Sequence, residues 1–112
     1  MRPATEPVEP IALVVGQRVR FERESRRPYV VRAVSEHFVV CTRQADFKPK
    51  GELFYTVIDW RNGCRGPVGI VGGGWDVTTD DKCSELCEEL EAGKWELSRR
   101  RWVRLDIQEI LP

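Results

Sequence analysis

Short segments whose hydrophobic pattern repeats every two residues constrain the fold of this chain most. In the first segment, "VVGQRVRFER", alternate residues fall on one side of an extended chain, namely Val15, Gln17, Val19 and Phe21. The other side carries a glycine and charged residues, namely Gly16, Arg18, Arg20 and Glu22. Because side chains of a β-strand point alternately to its two faces, this pattern predicts a half-buried strand.

Three further segments are rich in β-branched and aromatic residues, as strands are. "YVVRAV" and "HFVVCTR" predict a second and a third strand, with Ser35 and Glu36 in the tight connection between them. Residues 53–60, "LFYTVIDW", are almost continuously apolar, which predicts a central strand. The Asn62-Gly63 pair that follows is a strong turn signal.

One segment, near residues 79–92, has the signals of a helix. Thr79 is a capping residue, Asp80 and Asp81 suit the first turn, and Gly93 marks the end. Apolar residues recur at helical spacing, namely Cys83, Leu86, Cys87 and Leu90. This spacing predicts one buried stripe on an amphipathic helix.

The end of the chain returns to strand-like patterns in "KWELS" and "RWVRLDI", which predict a final pair of β segments. One face of the second segment would carry Val103, Leu105 and Ile107. The opposite face would carry Trp102, Arg104 and Asp106.

Together these elements predict an α+β, mostly β fold. We expect a small curled SH3-like or related β-barrel of about five to seven short strands, with one α-helix in the C-terminal half of the chain. The helix would cover an open end or an otherwise unpaired edge strand. Residues 1–10 contain three prolines and no core pattern, which predicts a disordered arm. Residues 11–112 would form one small β-rich domain.

The charges sum to zero but are distributed unevenly. Residues 1–50 carry ten basic and six acidic side chains, residues 51–93 three and nine, and residues 94–112 five and three. A neutral total argues against non-specific coating of nucleic acid, although one basic face remains compatible with it. No apolar run is long enough for a signal peptide or a membrane span, so we expect a cytoplasmic protein that does not contact a membrane.

The four cysteines do not have the spacing of a zinc site. Cys41, Cys64, Cys83 and Cys87 are separated by 22, 18 and 3 residues, whereas zinc knuckles show two tight pairs. In a cytosolic chain we therefore expect reduced structural thiols, with no metal and no cofactor. His37 is the only histidine, which also weakens any mechanism that needs a Cys–His or Ser–His pair.

Two arginine clusters form the first candidate site. "RVRFERESRR" contains five arginines, and "SRRRWVR" surrounds a tryptophan with four more. If the first and last β segments pair, the clusters would merge into one basic face with an outward tryptophan. Its candidate binding residues are Arg18, Arg20, Arg26, Arg27, Tyr29, Arg100, Trp102 and Arg104. The alternative is an ordinary solvated hairpin, because exposed hairpin tips are normally charged.

A glycine-rich loop, "GIVGGGWD", forms the second candidate site. Its candidate binding residues are Gly72, Gly73, Gly74 and Trp75. Glycine loops can bind phosphate through their backbone N–H groups. However, this loop lacks the lysine of a P-loop and the G-x-G-x-x-G spacing of dinucleotide sites. The alternative is a mobile loop without a ligand.

No set of residues predicts catalysis. Asp59 is expected to be buried near Arg61 or Arg65, but no general acid or nucleophile is apparent beside it. Asp80 and Asp81 are explained as first-turn helix residues. We therefore expect no enzyme activity.

Four segments together resemble a family of small proteins encoded by actinobacteriophages and by mobile regions of actinobacterial genomes. They are "RPYVVRAVSEHFVVCTR", "LFYTVIDW", "RGP" and "EAGKWELSRRRWVRLDI", and the resemblance covers about residues 13–107. It assigns no catalytic or binding residue. It implies a short phage-type accessory protein that works in a bacterial cytoplasm.

The resulting hypothesis is a non-enzymatic accessory binding protein that acts by occupancy. It would block or sequester a host protein, another host macromolecule or a small anionic ligand, and a counter-defence role fits this class. The alternative is a nucleic-acid-binding β-barrel that uses the Arg/Trp face. Self-association also stays open. In an oligomer, a small ligand could bind between subunits.

Overall fold

A computed structural model describes residues 9–22, 27–44, 53–70, 73–74 and 79–112. Seven strands form the main sheet, namely β1 (Arg18–Phe21), β2 (Tyr29–Val34), β3 (Phe38–Gln44), β4 (Leu53–Asp59), β5 (Cys64–Gly66), β8 (Val103–Arg104) and β9 (Ile107–Leu111). A small separate ribbon pairs β6 (Gly69–Ile70) with β7 (Gly73–Gly74). One helix, α1 (Asp80–Glu91), and a 3₁₀ turn at Arg99–Arg101 complete the described elements.

The main sheet is antiparallel and strongly curled. Its strand order is β8-β5-β4-β3-β2-β1-β9, so β8 and β9 are its two edges. Only Leu105 and Asp106 separate these two edge strands in the chain. A flat sheet of this order would be about 29 Å wide at a strand spacing of about 4.8 Å, whereas three residue steps span roughly 10 Å. The sheet must therefore curl until its edges meet, which confirms the predicted mostly β fold with a curled, barrel-like sheet and one helix.

Two hydrophobic cores lie on opposite faces of this sheet. The inner core fills the curled sheet and contains Leu13, Val19, Phe21, Tyr29, Val31, Val39, Cys41, Ile58 and Trp60. The outer core lies under the helix and contains Ala33, Phe38, Val40, Val57, Val68, Cys83, Leu86, Cys87 and Leu90. Successive residues of β3 and β4 therefore enter different cores. This two-sided burial explains why their sequences are almost continuously apolar.

The helix has the predicted ends and the predicted buried stripe. The Thr79 side chain accepts a hydrogen bond from the backbone N–H of Lys82 at 3.1 Å, and Gly93 follows the last turn with a φ of +74°. All four stripe residues are buried in the outer core. The predicted position of the helix was wrong, because α1 packs on β2 and β3 in the middle of the sheet. The outer face of β2 and β3 is apolar, so packing the helix there removes more apolar surface from water than packing it on an edge strand would.

Two local strand predictions were also wrong. Val15 is 59% exposed because the chain turns before β1, where the N–H of Gln17 bonds to the carbonyl of Val14. The segment "KWELS" at 94–98 forms no strand. Its Trp95 and Leu97 instead pack against the outer core. The predicted arm, residues 1–10, lies largely outside the described residues.

The end of the helix is attached to the turn between β2 and β3 by one carboxylate. Glu91 accepts hydrogen bonds from the backbone N–H of His37 and from the Ser35 hydroxyl, both at 2.8 Å. Its second oxygen lies 2.7 Å from Nδ1 of His37. Burial alone would raise the pKa of Glu91, but these bonds and the His37 charge lower it from 4.5 to about 2. The attachment therefore depends on the ionised carboxylate.

We predict that Glu91→Gln lowers the free energy of unfolding by roughly 1–3 kcal/mol at pH 7, because it weakens charge-assisted hydrogen bonds. The pKa of Glu91 is lower in the folded state, so its contribution is present above about pH 4.5 and is lost as the pH falls to about 2. Urea unfolding at pH 7 and at pH 2 measures the difference. Glu88→Gln, at an exposed position on the same helix, is the control. An equal loss at both pH values would contradict the ionic attachment.

Candidate ligand cleft at the seam of the barrel

The curled sheet is open along one line, which we call the seam. β5 pairs with β4 only opposite Val57, Ile58 and Asp59. The preceding residues of β4, Leu53–Thr56, have a strand partner on one side only among the described residues. The gap forms a cleft of about 800 Å³. It is lined by Tyr55 and Thr56 of β4, the residues from Arg65 to Pro67, Glu22 after β1, Tyr29 at the start of β2, and the segment from Arg101 to Ile107 except Trp102.

A buried arginine lies at the inner end of this cleft. The Arg65 side chain is 6% exposed, and its guanidinium lies 3.9 Å from the ring centroid of Phe21. β5 and β1 are four places apart in the sheet, so this contact crosses the inside of the barrel. Nε of Arg65 donates to Oδ1 of Asp106 at 2.8 Å. The buried charge is therefore paired with a carboxylate of the connection that closes the barrel.

A threonine hydroxyl lies beside this pair without a partner. Thr56 lines the cleft and is 3% exposed. It pairs across the sheet with Cys41 and points to the inner face, like Ile58 two residues later. Its Oγ1 has no hydrogen-bond partner in the described part of the chain. Leaving a buried hydroxyl unsatisfied costs about 1–3 kcal/mol, so this group is suited to receive a bond from a ligand.

Two tyrosines add aromatic surface to the cleft. The ring of Tyr29 meets Phe21 edge-to-face at 5.5 Å between centroids. Tyr55 donates its hydroxyl to the carbonyl of Val68. Burial raises the pKa of Tyr55, although the Val68 bond and the Arg101 charge oppose the shift. Tyr55 therefore stays neutral and protonated at physiological pH.

The rim of the cleft carries two arginines whose guanidinium groups are not engaged. Arg101 and Arg104 both line the cleft and are exposed. Neither guanidinium forms an ion pair or hydrogen bond with another residue in the ranges that the structure describes. Glu22 is also exposed on the rim, so the positive charge there exceeds the negative charge by one.

The rim arginines are held in place by the neighbouring residues. Arg99 donates to Oδ2 of the fully buried Asp59 at 2.7 Å and to Sγ of Cys64 at 3.0 Å. Burial would raise the pKa of Asp59, but hydrogen bonds from Asn62 and Arg99 and nearby positive charges lower it. Asp59 therefore stays ionised and anchors the segment that carries Arg101 and Arg104.

Trp102 fixes the same segment from the other side. Its indole N–H donates to the carbonyl of Pro67 at 2.9 Å. The ring packs directly on Gly66, where a Cβ would lie 2.5 Å from Cγ of the indole. Glycine is required at this position because any side chain would displace the tryptophan.

The structure separates the residues of the predicted Arg/Trp face. Arg18 and Arg20 lie on β1, which pairs with β2 and β9. Arg20 forms an exposed ion pair with Glu109 at 3.4 Å. β1 pairs with the last strand, β9. The predicted last segment, residues 101–107, instead contains β8, so that Arg104 lies on a strand that pairs with β5. Tyr29 and Arg104 line the cleft, while Arg27 and Arg100 are exposed outside it. Arg26 lies outside the described residues.

The expectation of an outward Trp102 was wrong. Its ring is partly buried against the outer core, whereas Val103 is 43% exposed. The predicted alternation fails because the chain bends at Leu105 and Asp106 between two different strands.

The predicted glycine-rich loop site is described only in part: Gly73 and Gly74 form β7, which pairs with β6. Gly72 and Trp75 lie outside the described residues.

The predicted binding residues include Tyr29 and Arg104 of the cleft but not Tyr55, Thr56, Arg65 or Arg101. Thr56 had a visible signal, since it is a polar residue in the middle of an apolar run. Arg65 was expected only as a partner of Asp59, because an arginine beside a turn gives no sign of contacts with distant strands. Arg101 was part of the recognised cluster, but the bend that brings it to the cleft is a tertiary feature.

All four cysteines are buried free thiols. Burial raises the pKa of Cys41, Cys64 and Cys87, which disfavours their reactive thiolate forms. In the part of the chain that the structure describes, no group of three or more His, Cys, Asp or Glu side chains could hold a metal ion. His37 is engaged with Glu91 on the turn between β2 and β3 and does not line the cleft.

Comparison with protein-family models, curated proteins and solved structures finds no match to this chain. Among the described residues, no helix has the length and apolar character to cross a bilayer.

We predict that Asp106→Ala lowers the free energy of unfolding by about 3–5 kcal/mol, because it removes a carboxylate that pairs with the buried Arg65 guanidinium. The double variant Arg65→Met with Asp106→Ala should lose much less, since methionine fills the space without a charge. Urea unfolding of both single variants and of the double variant measures this coupling. Glu109→Ala, which breaks only the exposed pair with Arg20, is the control and should cost under about 1 kcal/mol. Additive losses at positions 65 and 106 would contradict the pairing.

Proposed function

We propose that this chain is a non-enzymatic binding protein of the phage accessory type. It holds a small anionic ligand in the seam cleft and acts by occupancy in the cytoplasm of a bacterial host. The observation that carries this proposal is the pair of unengaged guanidinium groups, Arg101 and Arg104, at the mouth of a cleft with an unsatisfied buried hydroxyl. Guanidinium groups bind carboxylates and phosphates with charge-assisted hydrogen bonds.

The chemistry of the cleft supports binding without reaction. Asp106 is already paired with Arg65, and the other carboxylate of the lining, Glu22, is exposed at the rim. A general base would need to lie within hydrogen-bond reach of a nucleophile or of a bound substrate proton. The described lining contains no cysteine or histidine. Sequestration of the ligand needs only affinity, which this set of residues can supply.

Nucleic acid is the second candidate ligand. Arg18 and Arg100, like the rim arginines, are exposed and have no ion pair with the residues that the structure describes. Unengaged arginines are suited to phosphate contacts. The zero total charge makes a continuous binding face for nucleic acid less favourable.

We predict that protein purified gently from a bacterial lysate carries a small-molecule mass that Arg101→Gln with Arg104→Gln removes. Loss of two charge-assisted contacts should weaken binding at least about 10-fold. Native mass spectrometry, compared with the denatured mass, measures the retained ligand. Arg18→Gln with Arg20→Gln is the matched control, because it also removes two arginines but leaves the cleft intact. Retention by the rim variant, or equal loss from the control, would contradict the proposed site.

The nucleic-acid alternative predicts a steep salt dependence. The logarithm of the binding constant should fall linearly with the logarithm of salt concentration, with a slope of about −0.9 per phosphate contacted on duplex DNA. Glutamine at Arg18, Arg20, Arg100 and Arg104 should then abolish binding or reduce that slope. Fluorescence anisotropy with short duplexes over a salt series measures it. Binding that ignores salt, or that survives the four changes, would exclude this alternative.

A further inference from the structure

We infer that the ligand of the seam cleft is a nucleoside monophosphate, with its base inside the cleft and its phosphate at the rim. This inference rests on the proposed anion-binding function and adds the class of ligand. The burial of the lining residues leads to it: the Thr56 hydroxyl and the Tyr29 ring are buried, whereas the unengaged guanidinium groups of Arg101 and Arg104 are exposed.

The inner end of the cleft suits a neutral group. The charge of Arg65 is offset by Asp106 at 2.8 Å, so the interior attracts an anion only weakly. The Thr56 hydroxyl can both donate and accept a hydrogen bond, and it has no partner among the described residues. A nucleobase edge offers neutral donors and acceptors to such a hydroxyl. A simple inorganic anion placed here would have to give up its hydration beside a charge that is already neutralised.

The lining of the cleft also suits a flat ring. Tyr29 contributes aromatic surface from the inner core, and Tyr55, which packs against the outer core, contributes it from the other face of the sheet. Pro67, Leu105 and Ile107 contribute apolar surface. Bases stack on aromatic side chains with little dependence on sequence. The volume of about 800 Å³ lies within the usual range of small-molecule sites, roughly 300–1,000 Å³, and leaves space for a base with its sugar.

The rim suits a single phosphate group. Arg101 and Arg104 offer planar guanidinium groups that match phosphate oxygens in bidentate geometry. Glu22 on the same rim repels additional negative charge. A monophosphate therefore gains from both arginines, whereas a triphosphate or a polynucleotide would meet the opposing carboxylate more strongly.

The test is isothermal titration calorimetry of the full chain with three kinds of probe. These are the adenosine, guanosine, cytidine and uridine monophosphates, the corresponding free nucleosides, and inorganic phosphate. We expect at least one monophosphate to bind about 10-fold or more tightly than both its nucleoside and inorganic phosphate, because only the nucleotide contacts both ends of the cleft.

Two variants separate the two ends. Thr56→Val keeps the shape of the side chain and removes the hydroxyl, so it should weaken monophosphate and nucleoside binding about 3- to 10-fold and leave phosphate binding unchanged. Thr56→Ser retains the hydroxyl and should bind like the native chain. Arg101→Gln with Arg104→Gln, at exposed positions, should weaken monophosphate and phosphate binding at least about 10-fold without changing nucleoside binding. Thermal unfolding confirms that each variant is folded.

The outcomes distinguish this inference from the proposed function. Phosphate binding as tight as nucleotide binding would overturn the role of the base and leave the anion site standing. If no monophosphate binds while protein from lysate still carries a mass that the rim variant loses, the ligand class is wrong and the proposed function stands. If no probe binds and no mass is carried, both fail.

Discussion

The connection of Leu105 and Asp106 between the two edge strands is the constraint on which the rest of this structure depends. Because two residues cannot cross a flat seven-stranded sheet, the sheet has to curl. The connection is held on both sides by backbone bonds, from the N–H of Leu105 to the carbonyl of Gly63 and from the N–H of Glu22 to the carbonyl of Asp106. The ion pair between Asp106 and Arg65 secures it from inside. Such a buried pair adds little net stability relative to apolar residues, but it ties the connection to β5 through a charge-assisted hydrogen bond.

The same closure creates the cleft. β5 has three residues, so it covers only the last part of β4. In the part of the chain that the structure describes, no other strand pairs with Leu53–Thr56 on that side. The sheet is therefore continuous where β5 pairs with the last residues of β4, and the seam lies beside the first residues of β4. The closure also uses one arginine and one carboxylate of the lining, which leaves two arginines at the rim against Glu22. The closed sheet and the proposed site thus both follow from the shortness of β5. The rim segment is fixed by Asp59, which lies outside the cleft, and by Gly66, on which Trp102 packs.

Local patterns were sufficient for most of the fold. Period-two alternation identified β1, and β-branched and aromatic content identified β2 and β3. The continuous apolar run identified β4, and caps with a four-residue stripe identified α1. Each of these signals comes from neighbours in the chain. The prediction placed the helix wrongly, although its position could be deduced. Strands that are apolar on both faces must be covered on both faces, and the helix is the element that covers the second face. Trp102 could not be oriented, since the bend at Asp106 interrupts the alternation that orients side chains. Arg65 was beyond prediction, because its partners Asp106 and Phe21 are brought to it only by the curl of the sheet.

A chain with equal numbers of acidic and basic side chains has little long-range field with which to attract its ligand. Selection must then occur at short range, through groups that a ligand meets only inside the cleft. The exposed acidic residues of α1 lie on the helix that covers the outer core, whereas the unengaged arginines lie at the seam. Opposite charges are thereby separated in space without changing the total. This arrangement disfavours long polyanions, which would sample the whole surface and meet repulsion elsewhere. It favours a ligand small enough to contact Arg101 and Arg104 alone, with its uncharged part held against Thr56.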